Sequence, residues 1–291
     1  MRNLKAKPAC LVCSLNQVLA VTKRITTDPE KEKSMLNKAM RFLLDYNWNI
    51  TPAEMAGDLF RLVCRELDSH DPYRKEMDYY NRQGLKLYPQ LQKIIAGSDD
   101  RLHTALLTAV AGNQIDLGII SDINIEDTIT GVLRDGLAYS DYADFRKDLG
   151  KTDSFLCLLD NAGEIVFDRL FLEEIKKIRP DLKIKIAVKK EPAANDALRK
   201  DALQVGLDRV GEIIDTGCGD LGVPKSRCSR EFQSAFQQAG LIVAKGHANF
   251  ETIEESHPAV YVLLRAKCPI VADILGVQVM DSVFKKLKDY K

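Results

Sequence analysis

The chain predicts an α/β fold, a Rossmann-like parallel sheet flanked by helices, with an all-α N-terminal domain ahead of it. Three observations carry the prediction. From Phe155 onward, apolar strand-like runs alternate with helical ones, as in successive βαβ units. The first run, Phe155-Leu156-Cys157-Leu158-Leu159, has no polar residue, as a parallel strand covered on both faces requires. Before it, helical spacing and capping signals dominate and no strand pattern of comparable strength is seen. The expected division is a helical domain over 1–150 and a Rossmann-like α/β domain over 151–291 that carries the functional site.

In the first part, apolar residues recur at helical spacing from Cys10 to Arg24. Asp28-Pro29-Glu30 starts a second helix, with Pro in its first turn, that can run to about Tyr46. Thr51-Pro52-Ala53-Glu54 is a capping box opening a helix to about Leu67. Asp71-Pro72 starts another through Leu91, with a possible break at Gly84, and Asp99 or Asp100 caps one ending near Gly112. Ile125–Leu137 and Tyr142–Leu149 are also helical in pattern. In the second part the expected strands are Phe155–Leu159, Lys183–Val188, Arg209–Ile214, Leu241–Ala244 and Ala259–Leu264. The helices between them are Glu164–Ile178, Ala197–Val205 and Arg230–Ala239.

Composition excludes several classes. The chain has 291 residues, 45% of them hydrophobic, with 42 basic and 42 acidic side chains and no formal net charge. A nucleic-acid-binding protein would usually show a basic excess. No apolar run approaches the roughly 18 residues of a membrane span, and Met1–Ala9 is not followed by the apolar core of a signal peptide. Seven scattered cysteines do not form a disulfide framework. A cytoplasmic protein without nucleic-acid or membrane partners is expected.

Polar clusters fall at the carboxyl ends of the predicted strands, where open α/β sheets bind ligands. Asp160-Asn161 ends the first strand and precedes a helix whose N-terminus, near Gly163, offers N–H groups to an anion. A carboxylate there repels phosphate unless a cation lies between them, but the same Asp also suits a helix cap, and position alone leaves both readings open. Asn195-Asp196 follows the second strand, one βαβ unit later, so Asp160, Asn161 and Asp196 can offer three oxygen ligands to a hard cation such as Mg²⁺ or Mn²⁺. Lys245-Gly246 follows Leu241–Ala244, with Lys245 placed to neutralise phosphate and Gly246 to allow close backbone approach. Arg265-Ala266-Lys267-Cys268-Pro269 adds basic residues after the last strand. Gly217-Cys218-Gly219-Asp220-Leu221-Gly222 matches the dinucleotide pattern in letters only. It follows a late strand, Pro224 stands where a helix should continue, and no ribose-binding acid lies downstream, so it reads as a substrate loop. Cys10-x-x-Cys13 is a single pair on a helix, and its default reading is a helical face.

Together these residues resemble the family once labelled domain of unknown function 89, now called damage-control phosphatases. The match rests on Asp160-Asn161-Ala162-Gly163-Glu164, on Asn195-Asp196, and on Lys245-Gly246-x-x-Asn249-Phe250-Glu251. It also rests on Cys10-x-x-Cys13, Asp71-Pro72-Tyr73 and Ala111-Gly112-Asn113-x-Ile115-Asp116-x-Gly118, and the pair Cys10 and Cys13 is similar to the prokaryotic subgroup. The resemblance implies a phosphatase dependent on a divalent metal (Mg, Mn, Co or Ni) that acts on small phosphorylated metabolites. Asp160, Asn161 and Asp196 would be the metal ligands. Lys245, Asn249 and Lys267 would surround the substrate, with Asn195, Gly163 and Gly246 beside it, and Asn113 and Asp116 would close over its organic part. Asp160 would act as nucleophile or a water would attack at the cation, and Glu164 and Asp196 would transfer protons. The stretch Leu264-Arg265-Ala266-Lys267 retains only the Lys of the Arg-Thr-x-Lys motif of the sugar-phosphate subgroup, and the Glu-Gly-Met-Gly-Arg motif of another subgroup is absent. Two other classes fit the layout: a methyltransferase using S-adenosylmethionine, and a non-catalytic sensor of phosphorylated metabolites. The first would want a ribose-reading acid at the second strand end, where Lys189-Lys190 stand, followed by Glu191.

Overall fold

The computed structural model describes residues 4–112, 131, 134–253, 257 and 259–287. It opens with five helices: α1 (Pro8–Ile25), α2 (Pro29–Leu44), α3 (Pro52–Glu66), α4 (Arg74–Ala96) and α5 (Arg101–Ala111). Their starts follow the expected chemistry. Asp28 accepts the Glu30 N–H at 2.9 Å, and Asp100 accepts that of His103 at 3.0 Å. At α3, Thr51 Oγ1 accepts from the Glu54 N–H and Glu54 returns the bond to Thr51 N–H, a reciprocal capping box. The expected break at Gly84 does not occur. Gly84 instead lets α4 lie against the turn after the central strand, where a Cβ would stand 2.9 Å from Val166 and 3.1 Å from the Gly163 carbonyl.

The sheet follows. Its strands are β1 (Tyr139–Ser140), β2 (Ser154–Leu158), β3 (Lys183–Val188), β4 (Glu212–Asp215), β5 (Leu241–Lys245), β6 (Val260–Arg265) and β7 (Ser282–Lys286). Between them lie α6 (Tyr142–Leu149), α7 (Ile165–Ile178), α8 (Arg199–Gln204), α9 (Arg230–Gln238), α10 (His247–Thr252) and α11 (Pro269–Leu275). The strand order is β1-β7-β6-β5-β2-β3-β4, parallel except for the β6–β7 pair.

Two strands lie outside the sequence-based expectation. β1 is a two-residue exposed strand inside the stretch expected to be all helical, and β7 carries two lysines that mask its apolar pattern. The expected strand from Arg209 starts only at Glu212, because Leu207–Arg209 is a 3₁₀ turn. Most of the expected helix Ile125–Leu137 lies outside the described residues.

β2 is central, with β5 on one side and β3 on the other, as its unbroken apolar run required. Strand alternation divides its side chains. Phe155, Cys157 and Leu159 enter the core under α4, α5, α6 and α7, while Leu156 and Leu158 enter the opposite core under α9 and α11. α1, α2 and α3 share a third apolar cluster of their own, including Val18, Met35 and Leu59.

Candidate active site

After β2 the chain runs outward through β3 and β4, then returns to the other side of β2 as β5. That reversal opens a crevice between the loops that follow β2 and β5, the usual ligand position in such sheets. The loop after β3 is sewn onto the loop after β2. Ala162 N–H donates to the Asn195 carbonyl at 2.9 Å, Ala197 N–H donates to the Asp160 carbonyl at 2.8 Å, and Asn161 and Asp196 form an isolated antiparallel bridge. These backbone bonds bring Asp160, Asn161, Asn195 and Asp196 together. From the β5 side Gly246 closes the approach with φ +81°; a Cβ there would stand 2.0 Å from an Asp160 carboxylate oxygen.

Neither Asp caps a helix. α7 begins at Ile165 behind Glu164, and α8 begins at Arg199, where Asp201 accepts the Leu198 N–H at 2.9 Å. Yet Asp160, Glu164 and Asp196 are all buried. Burial pushes the Asp160 carboxyl well above the usual range, and the nearby charges of Glu164 and Asp196 push it further. Burial also raises Glu164, to about 7, against the pull of Lys245. Asn161 donates to Asp160 at 3.2 Å and to Glu164 at 2.8 Å, which leaves its amide oxygen outside both bonds.

A cavity of about 330 Å³ opens over this cluster. Asp160, Asn161, Asn195, Asp196, His247 and Lys267 make its polar wall. The facing wall comes from the helical segment: Gln17, Val18 and Val21 of α1, Leu59 and Phe60 of α3, and Tyr73 just before α4.

The match with known proteins covers nearly the whole chain. The family model of the damage-control phosphatase ARMT1-like domain matches residues 6–283. A damage-control phosphatase of Pyrococcus horikoshii is 31% identical over 280 residues, 94% of this chain and 95% of its own length. Another from Archaeoglobus fulgidus is 31% identical over 290 residues, covering 97% and 99%. A crystal structure of a family member from P. horikoshii, described there under domain of unknown function 89, superposes with a TM-score of 0.90 at 29% identity, over 98% of this chain and 99% of that one. The chain belongs to the damage-control phosphatase family.

Membership of this family implies dependence on a divalent cation. Among the described residues no three His, Cys, Asp or Glu side chains are grouped to hold one by themselves. The donor set that fits is two carboxylates with an amide oxygen, Asp160, Asp196 and Asn161. All are hard oxygen donors, and Asp160 is buried beside the charges of Glu164 and Asp196, which a cation would offset.

Other expected site residues stand elsewhere. Lys245 does not line the cavity. β5 alternates as β2 does, so its side chain enters the core beneath α5 and α7, where it pairs with Asp168 and donates to the Ala109 carbonyl at 2.9 Å. Asn249 is buried too, and its amide donates to the Leu159 and Lys245 carbonyls at 3.0 and 2.7 Å, tying the ends of β2 and β5. The Gly163 N–H, expected to meet phosphate, is taken by Asn81 Oδ1 at 2.7 Å. Lys267 does reach the cavity and is the cation lining it among the described residues. Asn113 and Asp116 lie outside the described residues.

Several residues that hold the loops of this site were not found from sequence. Asn81, fully buried on α4, holds the Gly163 turn and donates to Asp201 at 2.8 Å, and Asp201 pairs with Arg74. Lys189, also buried, stands 3.5 Å from Asp196 and donates to the Gly222 carbonyl. No spacing rule links residues so far apart in sequence, and a Lys at a strand end reads as solvated.

Two outcomes follow from local geometry. Gly246→Ala should weaken Mn²⁺-induced thermal stabilisation, because the new methyl needs the space of the Asp160 carboxylate and the backbone is left-handed. Unfolding scans with and without Mn²⁺ read it; an unchanged metal-dependent shift would remove Gly246 from the site. Glu251, raised by burial to about 7, accepts the Ala53 N–H at the start of α3. A carboxyl whose folded pKa lies above its unfolded value loses stability as pH rises from about 4.5 through 7. Glu251→Gln should therefore match wild type at pH 4 and be the more stable protein at pH 8, measured by urea unfolding at both pH values.

Proposed function

We propose that the chain hydrolyses phosphoric monoesters of small metabolites, with a divalent cation held by Asp160, Asn161 and Asp196. The observation that carries this is the convergence of two buried carboxylates, neither capping a helix, on one cavity at the sheet's switch point. The bound cation would supply Lewis-acid polarisation of the phosphoryl group. The chain's own residues supply the rest. Lys267 would hold phosphate oxygens as a point charge. Glu164, titrating near neutral pH, would deliver a proton to the leaving oxygen or remove one from the attacking group. Asp160 would attack phosphorus or serve as a cation ligand while water attacks. Asn195 and His247 would fix the phosphate's surroundings, and the wall of α1, α3 and Tyr73 would cover the organic part. Lys245 and Asn249 become positioning residues that hold the strand ends.

The methyltransferase reading loses its support at the second strand end. Lys189 is buried there against Asp196, where a ribose-reading acid would be wanted. The test is a screen of phosphorylated metabolites with metal-stripped protein, re-supplied separately with Mg²⁺, Mn²⁺, Co²⁺ or Ni²⁺. Release of inorganic phosphate only when metal is added is the expected result. Binding of these compounds without release under any metal would leave a sensor and end the hydrolase reading.

A further inference from the structure

The glycine-containing run Gly217–Gly222 gives the cavity only Leu221. It begins the segment between β4 and α9, and this segment folds back on itself. Ser229 N–H donates to the Thr216 carbonyl at 3.0 Å, and a Cβ on Gly217 would lie 2.3 Å from that of Ser229. The next residues inward on the two arms are Cys218 and Cys228. Both side chains pack in one apolar cluster, and each thiol acts on the other's ionisation. They differ in access: Cys218 is half-buried and Cys228 buried. Cys218 Sγ–H donates to Thr216 Oγ1 at 3.8 Å, and the Asp220 N–H favours the Cys218 thiolate. The neighbouring Cys228 thiol, with the Asp220 N–H, brings the Cys218 thiol down to about 6, while the Cys218 sulfur and then burial raise Cys228. An accessible, activated thiol beside a sheltered one is the arrangement of an attacking and a resolving cysteine.

We propose that Cys218 and Cys228 form a thiol–disulfide site whose oxidant is a peroxide. The Cys218 thiolate attacks a peroxide oxygen; the O–O bond breaks, leaving a sulfenic acid on Cys218 and hydroxide, which becomes water. Cys228 sulfur then attacks Cys218 sulfur. The S–S bond forms, the S–O bond breaks, and the departing hydroxide takes the Cys228 proton as a second water. Two thiols lose two electrons and two protons, and one hydrogen peroxide becomes two waters. The bond would close the neck of a loop that matters to the cavity. Leu221 lines it, the Gly222 carbonyl holds Lys189 beside Asp196, and Asp220 and Arg227 join Asp58 and Arg61 of α3 in an ion-pair network. The site stands whether or not the cavity hydrolyses phosphate esters.

The test is peptide mapping by mass spectrometry of the full chain, treated with hydrogen peroxide, alkylated and digested. The expected product is a Cys218–Cys228 cross-link, reversed by dithiothreitol and formed before any bond involving the other five cysteines. Cys228→Ser should stop at a Cys218 sulfenic acid trapped by dimedone, and Cys218→Ser should leave Cys228 a free thiol. Recovery of both wild-type residues as free thiols after the exposed Cys13 has been oxidised would overturn the proposal. A Cys218 bond to another cysteine would do the same.

Discussion

Asp160→Asn is expected to lower metal-dependent hydrolysis by ~100-fold or more, about 2.7 kcal/mol of transition-state stabilisation, while the metal-free protein unfolds at the same temperature or a higher one. The amide keeps the size and one oxygen donor but loses the charge that a cation and an attacking group both need. Its effect on the fold has the opposite sign. The Asp160 carboxyl is buried beside Glu164 and Asp196, which hold its pKa up. A carboxyl raised in the folded state costs stability as pH climbs above its unfolded value near 4, so at pH 7 removing its charge relieves the cluster. Adding Mn²⁺ should therefore stabilise wild type more than the variant. A helix-capping role would give another pattern, because Asn caps as well as Asp and both activity and metal response would stay near wild type. Turnover and thermal unfolding with and without Mn²⁺ read both effects, and near-native turnover would end the assignment.

Lys245→Ala should cost roughly 3–5 kcal/mol of stability. Lys245 is fully buried, and Asp168 holds its ammonium charged, above its usual pKa. Deleting it strands a buried carboxylate, whose other oxygen already has no hydrogen-bond partner, and leaves the Ala109 carbonyl without its donor. The control is the double variant Lys245→Met, Asp168→Leu, which removes both charges and fills the space. It should recover most of the loss, since apolar replacement of a whole buried pair is often neutral or better. Urea unfolding of wild type, both single variants and the double gives the coupling directly. A phosphate-contacting Lys245 would behave otherwise: the alanine variant would unfold like wild type and lose turnover alone.

Local chemistry made much of the molecule legible in advance. The unbroken run Phe155–Leu159 required a strand covered on both faces, and β2 lies at the centre of the sheet. Thr51 and Glu54 form the capping box their spacing announced, and β3 spans the residues its apolar pattern marked. Asp160-Asn161 and Asn195-Asp196 were placed at neighbouring strand ends because consecutive parallel strands tend to pair, and the bonds between the two loops join them. All of this depends on periodicity and on residues near one another in the chain.

What only the tertiary structure decided depends on contacts between distant residues. Lys245 leaves the crevice because the two-residue period of β5 sends its side chain under α7, and the presence of Asp168 there makes that burial tolerable. Gly163 spends its N–H on Asn81, from a helix some eighty residues earlier. β7 escaped notice because its lysines interrupt the apolar pattern, and it joins the sheet through antiparallel pairing to β6. The sequence by itself determined the order of elements and which strand ends carry polar chemistry, because those follow from backbone geometry and local spacing. Which of those polar side chains face the cavity and which are buried as ion pairs was decided by packing, because a charge enters a core only where a partner from another element meets it.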